Sequence, residues 1–103
     1  MTSYGLSPDA RQDLIDIVEY IADDNLSAAY RLRDRLFAAF DLLAERPGLG
    51  HVRDDLIPRE SRVRFWAVGT YLVIYRPIGD AIQIVRVLSG YRDIAAILDR
   101  LPD

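Results

Sequence analysis

The chain contains no cysteine and no lysine, and it has no long run of apolar residues. The lack of cysteine excludes disulfides and thiolate metal ligands, which fits a reducing compartment. Five aspartates interrupt the first 30 residues, so a signal peptide is not expected there; they are Asp9, Asp13, Asp16, Asp23 and Asp24. No stretch approaches the ~20 apolar residues of a membrane span. We therefore expect a cytoplasmic protein without a membrane partner.

The charge is unevenly placed along the chain, although the net charge is only −3. Residues 1–45 carry four arginines against nine acids, whereas residues 46–103 carry nine arginines against seven acids. Arginine supplies planar, bidentate donors that suit carboxylate and phosphate partners. The overall balance nevertheless argues against unspecific nucleic-acid binding, which normally comes with a strongly basic domain. Direct sequence-specific nucleic-acid binding is not expected either.

The length and the spacing of apolar residues predict one domain over residues 1–103, beginning with two helices. Tyr4–Leu6 reads as a short edge strand. Ser7 and the proline after it predict the start of a helix over residues 8–23, because a hydroxyl can cap the first turn. Ser27 is expected to cap a second helix that ends at residues 46–48, and so short a connection predicts an antiparallel helical hairpin.

The second half of the chain predicts a small antiparallel sheet. A loop over residues 47–61 is followed by three β-like runs at residues 63–68, 71–76 and 81–88, and a short helix is expected at residues 93–101. Gly69-Thr70 is read as a two-residue turn and Pro77–Asp80 as a four-residue turn. The fold class is therefore α+β, with a helical hairpin packed on an antiparallel sheet and a short C-terminal helix.

These turns divide the strand residues into two faces, because side chains alternate along a strand. The face expected to pack on the helices contains Val63, Phe65, Ala67, Leu72, Ile74, Val85 and Val87. The other face contains Arg64, Trp66, Val68, Tyr71, Val73, Tyr75, Ile82, Ile84 and Arg86. Since this second face is also largely apolar, it predicts an open interaction surface. The alternative is that the loop or the C-terminal helix covers part of it.

Few residues suggest catalysis or metal binding. His51 is the only histidine and is expected to be an exposed loop residue. The adjacent pairs Asp23-Asp24 and Asp54-Asp55 diverge in direction, so neither forms a dyad that shares a proton. Ser89 lacks the flanking glycines of a nucleophile elbow. No metal-ligand spacing is present, and no cofactor is predicted.

Arginines and aromatic residues in the basic half form the strongest candidate site. Arginine combined with aromatic side chains is typical of interface anchors. The alternative is that these are solvated surface side chains. The predicted partner-binding residues are Arg53, Arg62, Arg64, Trp66, Tyr71, Tyr75, Arg86, Tyr91 and Arg92.

Four segments in this order resemble the RelE/ParE superfamily of bacterial toxins from type II toxin–antitoxin modules. They are LSPDARQDLIDIVEYIADDN (6–25), AAYRLRDRLFAAFDLLAERPGLG (28–50), RFWAVGTYLVIYRP (64–77) and IVRVLSGYRDIAAIL (84–98). Their order and spacing look like the ParE branch over nearly the whole chain. The resemblance implies a cognate antitoxin that wraps the toxin, and DNA gyrase as the target.

The same resemblance leaves two alternatives. RelE-type toxins cut mRNA on the ribosome without a metal, and Arg64, Arg86 and Tyr91 would then be the catalytic candidates. A sequence pI near 5.0 disfavours docking on ribosomal RNA. Many ParE-like chains have histidine where this chain has Ser89, and often alanine where it has Tyr91. An inactive homologue is the remaining possibility.

Overall fold

The computed structural model describes residues 3–90 and 94–98 of the chain. The order of elements confirms the α+β class. The helices are α1 (Pro8–Ala22), α2 (Leu26–Glu45) and α3 (Ile94–Leu98), with a 3₁₀ turn at Arg59–Ser61; the strands are β1 (Tyr4–Leu6), β2 (Arg64–Val68), β3 (Tyr71–Ile78) and β4 (Ala81–Ser89). No helix among these residues is long and apolar enough to cross a membrane.

The caps of the two long helices explain where the helical hairpin begins and turns. The Ser7 hydroxyl accepts a hydrogen bond from the Ala10 N–H and donates to the Val85 carbonyl oxygen, which ties the start of α1 to β4. The cap of α2 is Asn25 and not Ser27, so that prediction was wrong. Asn25 has an extended backbone, and its side-chain oxygen accepts from the Ala28 N–H at 3.0 Å. Ser27 therefore lies inside the helix.

The main core lies between the helical hairpin and the sheet. Leu36, Phe40 and Leu43 on α2 are fully buried, and the Phe40 ring packs against the Tyr4 and Phe37 rings. Fully burying one such side chain stabilises the fold by roughly 1.5–3 kcal/mol. The repeating apolar side of α2 is therefore the main support of the sheet.

The sheet has the strand order β1-β4-β3-β2, with β1 parallel to β4 and the other pairs antiparallel. The turn between β2 and β3 is confirmed, because Val68 lies opposite Tyr71 and Arg64 lies opposite Tyr75. Gly69 adopts a φ of 60° in this turn, a conformation that favours glycine.

The turn between β3 and β4 differs from the prediction. Strand β3 continues to Ile78, which pairs with Ala81, so the turn is the two residues Gly79-Asp80. Pro77 was expected to break the strand. The pairing of β3 with β2 ends at Tyr75, which lies opposite Arg64. Pro77 lies beyond this point, so its missing N–H removes no hydrogen bond to β2 and the proline is tolerated in the strand.

A β-bulge also changes the register between β3 and β4. Ile74 pairs with Arg86 and Tyr75 pairs with Ile84, so Val85 is the extra residue. The sequence had predicted that Tyr75 would lie opposite Ile82. A bulge adds one residue without changing composition, so the apolar pattern could not reveal it.

The assignment of the two sheet faces was reversed, except that Val87 packs on the helices as expected. The face expected to be open packs on the helices, and its residues Val68, Val73, Tyr75, Ile82 and Ile84 are buried in the main core. Most of the opposite face forms a second core under the loop and α3, with Leu56 and Leu98 among its covering residues. Tyr75 and Ile84 are fully buried, so the prediction that they lie on an exposed surface was wrong. Alternation defines two apolar faces but does not say which one meets the helices.

Candidate interaction site

The first predicted site residue, Arg86, is held by a carboxylate of α1. Its guanidinium donates from Nε and Nη2 to the two Asp13 oxygens at 2.7 and 2.9 Å. The Val87 N–H donates to the same carboxylate at 3.0 Å, beyond the point where β1 stops pairing with β4. The Asp13 hydrogen bond raises the pKa of Arg86 above its ordinary value. Arg86 is therefore bound in a nearly buried, bidentate pair that joins α1 to β4.

Arg64 and Tyr75 hold the start of the loop over residues 47–61. The Tyr75 hydroxyl donates to the Pro47 carbonyl oxygen and accepts from the Gly50 N–H, both at 2.7 Å. Arg64 Nη1 donates to the Gly50 carbonyl oxygen at 2.8 Å. Burial raises the pKa of Tyr75. We call these contacts of Pro47, Gly50, Arg64 and Tyr75 the loop latch.

Gly50 is the close-packed residue of the loop latch. It is buried, and a Cβ placed on it would overlap the Tyr75 ring and hydroxyl. The absence of a side chain thus lets the backbone N–H approach the phenol. The sequence shows Gly50 only as one of two glycines in the loop, so its close packing could not be deduced from the sequence.

The remainder of the loop carries exposed arginines. Arg53 pairs with Asp55 at 2.8 Å and Arg59 pairs with Asp54 at 2.7 Å, and these hydrogen bonds hold the pKa of each aspartate below its usual range. Arg62 adopts a φ of 63°, and its exposed guanidinium has no ion pair within the described residues. Arg62 is consequently available to a partner.

His51 and Trp66 stack at the outer edge of β2. Their ring centroids are 6.5 Å apart and the planes differ by 17°. His51 is exposed as predicted, and its backbone pairs with Phe65. Trp66 is half-buried and lines a shallow groove of about 350 Å³ with Arg35, Leu42 and other residues of α2 and β2. This edge is the accessible aromatic part of the predicted surface.

Tyr71 lies in a different place from Trp66. It lines a cleft of about 480 Å³ together with Asp13, Asp16 and Tyr20 of α1. The predicted site residues therefore do not form one surface. Arg86 and Tyr71 face α1, whereas Arg64 and Trp66 lie by the loop latch and the β2 edge. Tyr91 and Arg92 lie outside the described residues.

Asp13 is the site residue that the sequence interpretation missed. It occupies a position between Ala10 and Leu14, on the side of α1 that packs against the protein. An acid on an apolar helix face indicates a buried cationic or N–H partner. That signal was available in the sequence, but the partner was not, because Asp13 and Arg86 are 73 residues apart.

Within residues 3–90 and 94–98, no group of three or more histidine or acidic side chains could hold a metal ion. The fold and site define a small α+β protein in which a helical hairpin packs on a four-stranded sheet. The family model for the ParE toxin of the type II toxin–antitoxin system parDE matches residues 4–94. The chain belongs to this toxin family.

Curated relatives support this assignment over most of their length. Toxin RelE3 of Caulobacter vibrioides is 34% identical over 87 residues, covering 84% of this chain and 92% of that protein. Toxin ParE3 of the same organism is 30% identical over 89 residues, covering 85% and 86% respectively. A solved chain of the chromosomal ParDE system from P. aeruginosa matches with a TM-score of 0.71 and 21% identity, covering 86% of this chain and 96% of that one. This last likeness confirms the fold.

Proposed function

We propose that the chain is a cytoplasmic toxin that inhibits DNA gyrase by direct binding and is neutralised by a cognate antitoxin in a hetero-oligomer. Membership of the ParE family supports the toxin–antitoxin role, and the resemblance of the four sequence segments to the ParE branch supports gyrase as the target. In this role the protein acts as a binding inhibitor, needs no cofactor or metal, and would serve functions such as plasmid stabilisation.

A binding inhibitor is favoured because the two arginines that a ribonuclease would need already make hydrogen bonds within the chain. Catalysis of RNA cleavage without a metal requires cationic groups free to approach the phosphate. Arg86 is bound by Asp13 in a bidentate pair, and Arg64 donates to the loop backbone. The acidic sequence pI of about 5.0 adds a long-range repulsion from ribosomal RNA.

The second candidate is a ribosome-dependent mRNA endonuclease that uses Arg64, Arg86 and Tyr91. It is favoured by the identity to the protein named Toxin RelE3, which is slightly higher than the identity to Toxin ParE3. In this case Arg86 would have to leave Asp13 before it could contact RNA.

We expect the accessible residues among the predicted binding residues to contact the antitoxin or the target. Arg53 and Arg62 are exposed, and Arg64, Trp66 and Tyr71 are half-buried. The Trp66 groove combines apolar side chains such as Leu42 with the cation of Arg35. This combination is typical of surfaces that bind a protein partner. We therefore place an antitoxin or target contact at the outer edge of β2.

The test compares two activities of the purified chain, with and without its antitoxin. Loss of supercoiling by purified gyrase, restored by antitoxin, is the expected result. Codon-positioned cuts in ribosome-bound mRNA, absent in Tyr91→Phe, would instead establish the ribonuclease. Trp66→Ser should weaken partner binding, whereas Ile78→Ser, the same change at an apolar residue that is 49% exposed at the end of β3, should not. A folded chain without either activity would indicate an inactive homologue.

A further inference from the structure

A second apolar groove lies on the helical hairpin and plays no part in the proposed function above. It is lined by α1 and α2 alone and has a volume of about 340 Å³; its residues are Leu14, Ile15, Val18, Glu19, Arg33 and Phe37. The lining is almost wholly apolar, and Ile15 remains 44% exposed. Tyr30, which is 46% exposed, lies under the Arg33 guanidinium at the side of this groove. We call this surface the hairpin groove.

The two walls of the hairpin groove carry opposite charges. Glu19 stands on the α1 wall and Arg33 on the α2 wall. Within the described part of the chain these two side chains form no ion pair with each other, since Arg33 binds its neighbour Asp34 at 3.1 Å. Both side chains of the Arg33–Asp34 pair are exposed, so Arg33 can leave Asp34 for another carboxylate at little free-energy cost. Glu19 has no side-chain hydrogen bond to any described residue.

The same division of charge is found along α1 and in the part of α2 next to the groove, although α2 as a whole carries three arginines and three acids. Helix α1 carries four acids and one arginine, whereas residues 31–35 of α2 carry three arginines and one aspartate. A foreign partner of one sign would be attracted by one wall and repelled by the other. A second copy of the chain would present each wall with its opposite.

We propose that the hairpin groove is a two-fold interface with a second copy of this chain. A two-fold axis running along the groove places α1 of one copy on α2 of the other, in antiparallel orientation because the two helices of the hairpin are antiparallel. Glu19 of each copy then faces Arg33 of its partner, and the exposed Ile15 side chains enter a shared apolar layer. The result is a four-helix layer of the kind that isologous dimers form.

The charge pairing makes the interface testable by substitutions that exchange sign. Glu19→Arg places two arginines opposite each other at both symmetry-related contacts, and Arg33→Glu places two glutamates opposite each other there. Each variant alone should weaken self-association roughly tenfold or more, because two contacts per dimer change from attraction to repulsion. An equimolar mixture of the two variants restores attraction at both contacts, so it should form a heterodimer.

The experiment is sedimentation equilibrium of the purified chain over a range of concentrations, at low and high salt. The expected result is a dimer for the unmodified chain, monomers for each single variant and a dimer for their mixture. Arg46→Glu and Glu45→Arg reverse exposed charges outside the groove and should leave the dimer intact. Restoration by mixing also excludes misfolding as the cause of dissociation.

Two outcomes would overturn the proposal. One is a monomer at every concentration. The other is a dimer that Glu19→Arg and Arg33→Glu do not weaken. If the chain is a monomer and these same substitutions reduce binding of the antitoxin, the groove is occupied by the antitoxin and not by a second copy. Neither outcome bears on gyrase inhibition, which the supercoiling assay measures separately.

Discussion

The two faces of the sheet are both apolar, but they are covered by different means. On one face, two regular helices bury a continuous layer that includes the fully buried Leu36 and Phe40. On the other face, an irregular loop contributes the half-buried Leu56 and Ile57, and α3 contributes Leu98. Regular helices can fill a face with repeated side chains, whereas a loop must also satisfy its own backbone groups. We infer that the loop side is the less stable side of the molecule.

The nearly buried ion pair lies on the helix side, although α2 also carries the exposed Arg33–Asp34 pair. The helix side contains the Asp13–Arg86 pair, whose side chains are 10% and 18% exposed. The loop contains two pairs between neighbours in sequence, and all four of their side chains are well exposed. A nearly buried pair fixes one geometry because separating its desolvated charges would leave each of them buried without a countercharge. Exposed pairs between neighbours contribute little.

The largest expected difference between the two sides comes from matched leucine substitutions. Leu36→Ala removes a fully buried side chain beneath the sheet and should lower the free energy of unfolding by about 2–5 kcal/mol. Leu56→Ala removes a half-buried side chain from a loop that can relax around the gap, and the loss should be about 1 kcal/mol. Urea unfolding followed by circular dichroism measures both. Equal losses would refute the inferred difference in stability.

The second prediction concerns the nearly buried ion pair. Asp13→Ala leaves Arg86 without its carboxylate and the Val87 N–H without its acceptor, so we expect a loss of about 3–5 kcal/mol. Asp13→Ala combined with Arg86→Met should recover part of this loss, because no charge remains unpaired. Urea unfolding of the two variants provides the measurement.

Asp16→Ala is the matched control for that prediction. Asp16 lies on the same helix, is exposed, and accepts a hydrogen bond from the exposed Gln12 side chain. It should change the free energy of unfolding by less than ~0.5 kcal/mol. If Asp13→Ala were no worse than Asp16→Ala, the pair with Arg86 would not hold α1 against β4.

The third prediction tests the loop latch. Tyr75→Phe removes the hydroxyl that accepts from the Gly50 N–H and donates to the Pro47 carbonyl oxygen, and should lower stability by about 1–3 kcal/mol. Amide exchange should accelerate first in residues 47–57, since the loop loses its anchor before the core opens. Tyr20→Phe, at an exposed position, should have no such effect.

The same phenol predicts an alkaline dependence. Burial raises the pKa of Tyr75 above its ordinary value of 10.0, so the unfolded chain ionises first as pH rises. The contribution of Tyr75 is therefore complete below pH 10.0 and declines above it. The free energy of unfolding should fall less steeply above this pH in Tyr75→Phe than in the unmodified chain. Parallel pH profiles would show that the phenol is not protected by burial.

Local signals in the sequence predicted much of the fold, and non-local pairings account for the errors. The Ser7 cap and the Gly69 turn depend on neighbouring residues, and both are confirmed. The bulge at Val85 and the choice of sheet face depend on how distant segments pack, which alternation alone does not encode. The prediction of the candidate site was limited in the same way. Arg86 could be named as a candidate, but its partner Asp13 was fixed only by the packing of α1 on β4.

The smallest expected effect lies in the exposed ion pairs of the loop. The hydrogen bond from Arg59 lowers the pKa of Asp54 below its ordinary value of 3.8. Arg59→Gln should therefore raise the pKa of Asp54 towards 3.8, measured by NMR titration of its carboxyl carbon. A depressed pKa contributes stability above pH 3.8 that is lost as pH falls through the folded value. Because both side chains are exposed, unfolding at neutral pH should not change measurably. A clear loss at neutral pH would mean that these pairs hold the loop as firmly as the Asp13–Arg86 pair holds α1.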